Sequence, residues 1–309
     1  MTDLGKVSHF LGIHVDYNLE TGTLKLFQKA YILLKLARFN LSTVASKETP
    51  MRLSVENTDV KELPSSIGDL QCLEHLTVGE NKHLQVLLAS LGRLKQLQVL
   101  EVSCSELKEL PASIGDLERL ERLTVYSTRL QDLPSRLGDL RGLKTLVVRS
   151  EALEDIPTSL SRLQSLENLL LEGKLVRENG ETAAEFLPDG FTHLTNLQIL
   201  VLISKRLERL PDNWANLKKL QRLDLQCPEV FTLPDWWEML PELRSMGLSC
   251  LSKSLTGRCG GMAALQMLEV SRCRNLTSFP DSLGELKALH GLRFSFVVIL
   301  LAFPTLWVN

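Results

Sequence analysis

Residues 120–142 read "LERLTVYSTRLQDLPSRLGDLRG", and residues 143–165 repeat the pattern in register as "LKTLVVRSEALEDIPTSLSRLQS", each stretch 23 residues long. A fixed period of this length marks an array of small units rather than an ordinary globular core. In "LERLTVYS" Leu120, Leu123 and Val125 give way to polar residues with the period-two alternation of a strand buried on one face. The proline of "LP" has no N–H to donate and suits the first position of a short helical turn. In "SSIGDL" and "ASIGDL", Ile67 and Ile114 stand three residues before a leucine, enough for one buried stripe. A unit this small cannot bury its own apolar edge, so consecutive units must stack.

The same frame begins at Pro50, Leu73, Leu97, Leu120, Leu143, Leu166, Leu197, Leu220, Leu243 and Leu265, with a partial unit from Leu289. Its prolines are Pro64, Pro111, Pro134, Pro157, Pro188, Pro211, Pro234 and Pro280. This predicts an α/β solenoid, with a parallel sheet on a concave side and short irregular turns on the convex side. The alternation also lists the outward strand positions. The middle row runs Thr77, Glu101, Thr124, Val147, Leu170, Val201, Asp224, Gly247 and Glu269. Val147, Leu170, Ile199, Val201 and Ile203 form an expected apolar patch, rimmed by Arg122, Tyr126, Arg149 and Arg222. Such a patch fits either a protein-binding hot spot or a surface covered by an insertion.

That insertion is "EGKLVRENGETAAEFLPDG", which makes the sixth unit eight residues longer than its neighbours and is expected to leave the sheet edge as a loop near residues 172–186. The ninth unit, with "LSKSLTGRCGG" in place of a proline signal, is expected to be the loosest. Trp214 and Trp237 take the frame position of Ile67 and are expected in the core; Trp236 is expected to be partly exposed on the convex side, near Phe231.

A formal net charge of −2 lacks the basic footprint of a nucleic-acid binder. "MTDLGKVSHF" has charges and glycine where a secretory leader needs an apolar core, so a cytoplasmic location with reduced cysteines is expected. No phosphate-binding loop, nucleophile elbow or zinc-binding histidine pair is present, and His9 and His14 would face opposite sides of a strand. Cys227 and Cys250 occupy equivalent places in adjacent units and read as small packed residues rather than metal ligands. The expectation is therefore no catalytic residue, no cofactor, no metal and no nucleic acid. No membrane span is expected either: the apolar tail at 295–309 is shorter than the roughly 20 residues a spanning helix needs, and Pro304 interrupts it.

"LKELPASIGDLERLERL", "LQDLPSRLGDLRGLKTL" and "VSRCRNLTSFPDSLGELKAL" resemble the leucine-rich repeats of plant intracellular disease-resistance proteins and of the plant intracellular Ras-group type. The resemblance covers residues 50–294 and implies a right-handed solenoid that recognises a protein partner, in defence or as a signalling scaffold. Against that pattern, asparagine is mostly missing after the strand. Ser105, Thr128, Glu151, Lys205 and Cys273 stand there and only Asn81 fits, so backbone groups that an asparagine ladder satisfies must find other partners. The partner-binding set expected on the concave face is Arg122, Tyr126, Val147, Arg149, Leu170, Ile199, Val201, Ile203, Arg222 and Asp224.

Nothing in the repeats accounts for the opening segment. Its "DLG", "FLGIHV", "GTLKLFQKAYI" and "TPM" resemble, in order and spacing, the reverse transcriptase of copia-type retrotransposons. In that family the metal-binding aspartates precede this segment. The resemblance therefore implies a catalytically incomplete hairpin and helix over residues 1–49, without the carboxylates that nucleotide transfer needs. Two readings remain open for it: a retroelement remnant joined to a repeat gene, or a cap over the first repeat. The corresponding alternative for function is a fusion or truncated product with residual nucleic-acid affinity or no selected role.

Overall fold

The computed structural model describes residues 51–56, 61–175, 189–204, 210, 212–227, 234–249, 260–273, 276 and 281–295, and the backbone alone at 9–10, 13–18 and 23–27. Expectations for the insertion beyond Leu175, Phe231, Cys250, residues 251–259 and the tail beyond Ser295 lie outside these residues. The chain divides into two compact units, Met1–Ala152 and Leu153–Asn309.

Unit 1 contains β1 (His9–Phe10), β2 (Ile13–Asn18), β3 (Thr23–Phe27), β4 (Met51–Glu56), β5 (Leu73–Gly79), β6 (Val99–Ser103), β7 (Arg122–Ser127) and β8 (Thr145–Ser150). Strands β4 to β8 pair in parallel in chain order, one from each repeat. Unit 2 contains β9 (Asn168–Gly173), β10 (Ile199–Ser204), β11 (Arg222–Gln226), β12 (Ser245–Ser249), β13 (Met267–Ser271) and β14 (Gly291–Ser295), again parallel and in order. Neither sheet closes into a barrel. Inward leucines and valines, such as Leu123, Val125, Leu146 and Val148 in unit 1 and Leu200 and Leu202 in unit 2, are at most 1% exposed.

Opposite the strands, the turns are regular rather than irregular. Each described "LP" leads into a five-residue 3-10 turn, as at Ser65–Asp69, Ala112–Asp116, Ser135–Asp139 and Thr158–Arg162. Proline sits one residue earlier than the sequence suggests, at the N-cap. Its ring fixes φ between −64° and −69° at Pro64, Pro111, Pro134 and Pro157. Its carbonyl then accepts the N–H three residues on, from Ile67 at 3.0 Å and from Ile114 at 2.9 Å. Glycine in these turns is a packing requirement. A Cβ on Gly92 would lie 2.6 Å from the Ser113 carbonyl oxygen in the next turn, and one on Gly115 would overlap the Arg136 carbonyl. Where the glycine is lost, another appears across from it. Ser161 faces Gly190, and Glu238 faces Gly261, whose added Cβ would lie 2.7 Å from that of Glu238.

The expected ladder position needs correction. Among the described residues the buried ladder is Asn81, Cys104, Ser127, Ser150, Ser204, Cys227 and Cys273, so Ser105, Thr128 and Glu151 are each one residue too late, while Lys205 lies outside the described residues. The carbonyls do find partners. Ser127 Oγ donates to Leu107 O at 2.7 Å, Ser150 Oγ to Leu130 O at 2.7 Å and Ser204 Oγ to Lys174 O at 2.6 Å. Asn81 Nδ2 donates to Val55 O at 3.1 Å, and the Cys104 and Cys227 thiols make longer contacts to Val78 O and Leu202 O. The shift has a local cause. Units beginning at Leu73 and Leu265 are 24 residues long, and each holds its extra residue in the left-handed region just before the ladder, at Glu80 (φ 52°) and Arg272 (φ 58°). Asn81 and Cys273 then reach back over that residue to the carbonyls of Gly79 and Ser271.

Trp214 and Trp237 are fully buried, as expected, but Trp236 is also buried, at 5% exposure. It takes the turn position that Ser113 occupies elsewhere, the one that packs on the preceding unit. From there its ring lies 5.7 Å from Trp214 and 5.8 Å from Trp237 between centroids.

Candidate functional site

On each repeat strand, every second side chain leaves the core and stands on the open face of the sheet. In unit 1 the register pairs Arg122 with Thr145, Thr124 with Val147 and Tyr126 with Arg149, a grid of six side chains on β7 and β8. Arg122 and Arg149 are exposed, Val147 is half-buried and Tyr126 is 41% exposed. The Arg149 guanidinium lies 5.7 Å from the Tyr126 ring centroid, a cation–π contact that holds both side chains upright. Thr124, at 9% exposure, is packed among its neighbours and offers little surface.

In unit 2 the pairing places Asn168, Ile199 and Arg222 in one row, Leu170, Val201 and Asp224 in the next, and Glu172, Ile203 and Gln226 in the third. The expected aliphatic residues therefore meet: Leu170 on β9 lies beside Ile199, Val201 and Ile203 on β10. Ile199 is 37% exposed, and the other three are half-buried. Arg222 and Asp224, two apart on β11 and on the same face, form an ion pair at 3.5 Å. The carboxylate leans over Gly247 on β12, where an added Cβ would lie 2.7 Å from its oxygen. That contact was not anticipated from the sequence, although same-face spacing of opposite charges is a legible signal. The expected set thus divides, with Arg122, Tyr126, Val147 and Arg149 in unit 1 and Leu170, Ile199, Val201, Ile203, Arg222 and Asp224 in unit 2.

The buried thiols are poor nucleophiles. Burial pushes Cys104 and Cys227 up to about 12, so each stays protonated at neutral pH. Among the described residues, no helix is long and apolar enough to cross a membrane.

Residues 85–186 match the family model described as a leucine-rich repeat region. No curated protein matches the chain. Among solved structures, a leucine-rich repeat protein of Leptospira interrogans is similar at 21% identity over 90% of this chain and 84% of its own, with a TM-score of 0.58. The functional domain of InlJ from Listeria monocytogenes, which includes a cysteine ladder, gives 15% identity, 83% and 55% coverage and a TM-score of 0.59. The plant peptide hormone receptor RGFR1, in complex with RGF2, gives 18% identity, 92% and 52% coverage and a TM-score of 0.56. The chain spans about half the length of the last two. At these identities the likeness shows the fold, a leucine-rich-repeat solenoid.

Proposed function

Given a leucine-rich-repeat solenoid, we propose that the open sheet face recognises a protein partner. The observation that carries the reading is the cluster of Leu170, Ile199, Val201 and Ile203 on adjacent outward positions of β9 and β10. Most other outward positions are polar or small, and stacking needs no aliphatic residue there, because the core is already filled by the inward row. Apolar side chains held on a rigid sheet beside charged ones are what a desolvated hot spot requires. In unit 1, the Tyr126–Arg149 contact supplies a second, pre-ordered aromatic and cationic anchor.

Resemblance of the repeats to those of plant intracellular resistance and Ras-group proteins supports a role in defence or as a signalling scaffold. That the plant peptide hormone receptor RGFR1 is found in complex with RGF2 supports a peptide or protein as the partner of such a fold. The fold supports an interaction module rather than an enzyme.

The test is quantitative affinity capture with the full chain and an Ile199→Ala/Val201→Ala/Arg222→Ala variant, all on neighbouring strands of unit 2. Partners retained by the parent and lost by the folded variant support the reading. An identical captured set would overturn the assignment of this face.

A further inference from the structure

We propose that β1–β3 form the N-terminal cap of unit 1, docking on the free edge of the first repeat strand and shielding its core. β3 pairs with β4 in parallel over five Cα partners, from Thr23 opposite Arg52 to Phe27 opposite Glu56. β2 pairs with β3 antiparallel over five more, and β1 adds a final strand of two residues. The parallel sheet thus ends in an antiparallel ribbon whose outermost strand is very short, a known way to blunt an edge that would otherwise template further pairing.

Burial gives an independent line. Leu53 and Val55, the inward residues of β4, are each 2% exposed, close to the interior Leu123 and Val125. β4 is the first repeat strand, and β5 covers it on one side only, so its other side is covered as well. The last repeat strand of unit 2 shows what a less covered end looks like: Leu292 and Phe294, in the equivalent inward positions of β14, are only half-buried. A repeat array needs a cover over its terminal core, and β3 is the strand in place to supply it.

The placement is tested in the full chain by pairing Lys25→Cys with Ser54→Cys, which are register partners, against Lys25→Cys with Thr77→Cys, one strand further away. Under mild oxidation the first pair should cross-link and the second should not, read by peptide mass mapping. A first pair that cross-links no better than the second overturns the proposal. The role is tested with Lys25→Pro and Leu26→Pro. Adjacent strand residues donate to opposite sides, so one of the two removes a bond toward β4. Melting should fall by at least about 4 °C, or folding should fail. An unchanged melting temperature in both variants overturns the capping role.

Discussion

The Ser127 hydroxyl donates to the Leu107 carbonyl at 2.7 Å while accepting the Arg129 N–H at 3.1 Å. One oxygen thereby closes its own repeat's turn and ties that turn to the preceding repeat. Ser150 repeats the arrangement with Leu130 and Ala152 one unit later. Both hydroxyls are buried, so neither carbonyl has water as an alternative.

Ser127→Ala and Ser150→Ala should each destabilise the chain by about 1–3 kcal/mol, because each leaves a buried carbonyl and a part-buried N–H without that hydroxyl. Denaturant titration measures the loss. A cost below about 0.3 kcal/mol at both positions would contradict the ladder role.

The thiol members of the ladder give a pH dependence. Burial raises Cys104 and Cys227 from 9.0 to about 12, so above pH 9 the unfolded chain gives up protons that the folded chain keeps. Their contribution is complete below pH 9 and is lost as the pH rises toward 12. Stability should therefore fall over this window, and a Cys104→Ala/Cys227→Ala variant should fall less steeply. Equal slopes would contradict thiol burial as the cause.

Glu80 and Arg272 hold left-handed backbone that glycine adopts at little cost. Glu80→Gly should stabilise the chain by about 1 kcal/mol. Ser103→Gly, just before the ladder in a 23-residue unit that lacks the extra residue and has ordinary strand backbone, should destabilise it by about 0.5–1 kcal/mol. Opposite signs in thermal melts are the predicted result, and equal signs would remove the bulge explanation.

The glycine exchange between turns predicts a rescue. Gly190→Ala should cost about 1–3 kcal/mol, because its Cβ overlaps that of Ser161. Combining it with Ser161→Gly should recover most of that loss, a coupling read from a double-mutant cycle. Gly142→Ala, whose Cβ would meet only Leu120 O at 3.9 Å, should be nearly neutral.

Most of the strand register was legible in the sequence. Period-two alternation repeated every 23 residues assigns a face to each strand residue, and Leu170, Ile199, Val201 and Ile203 stand where it puts them. The ladder departs from the expected position because Asn81 and Cys273 lie in 24-residue units. Carrying their offset into shorter units points to Ser105 rather than Cys104; the 24-residue length shows that a residue is extra, and only backbone conformation places it at Glu80. Trp236 departs from the expectation because a helical stripe does not describe a 3-10 turn, in which the residue after Asp235 packs on the preceding unit. The Ser161–Gly190 exchange joins residues 29 apart and becomes visible only when turns are aligned as neighbours. The pairing of β3 with β4 could not be read from a strand pattern alone, since alternation does not name a strand's partner.

The proposed contact of a partner protein is with the outward row around Val201. A photo-crosslinking amino acid placed at Val201 tests it most directly, with the same amino acid at Glu242, an exposed turn position outside the sheet, as the comparison. A defined covalent adduct from position 201 and none from 242 is the expected result. Adducts at 242 alone, or an indistinguishable pattern at both, would contradict it.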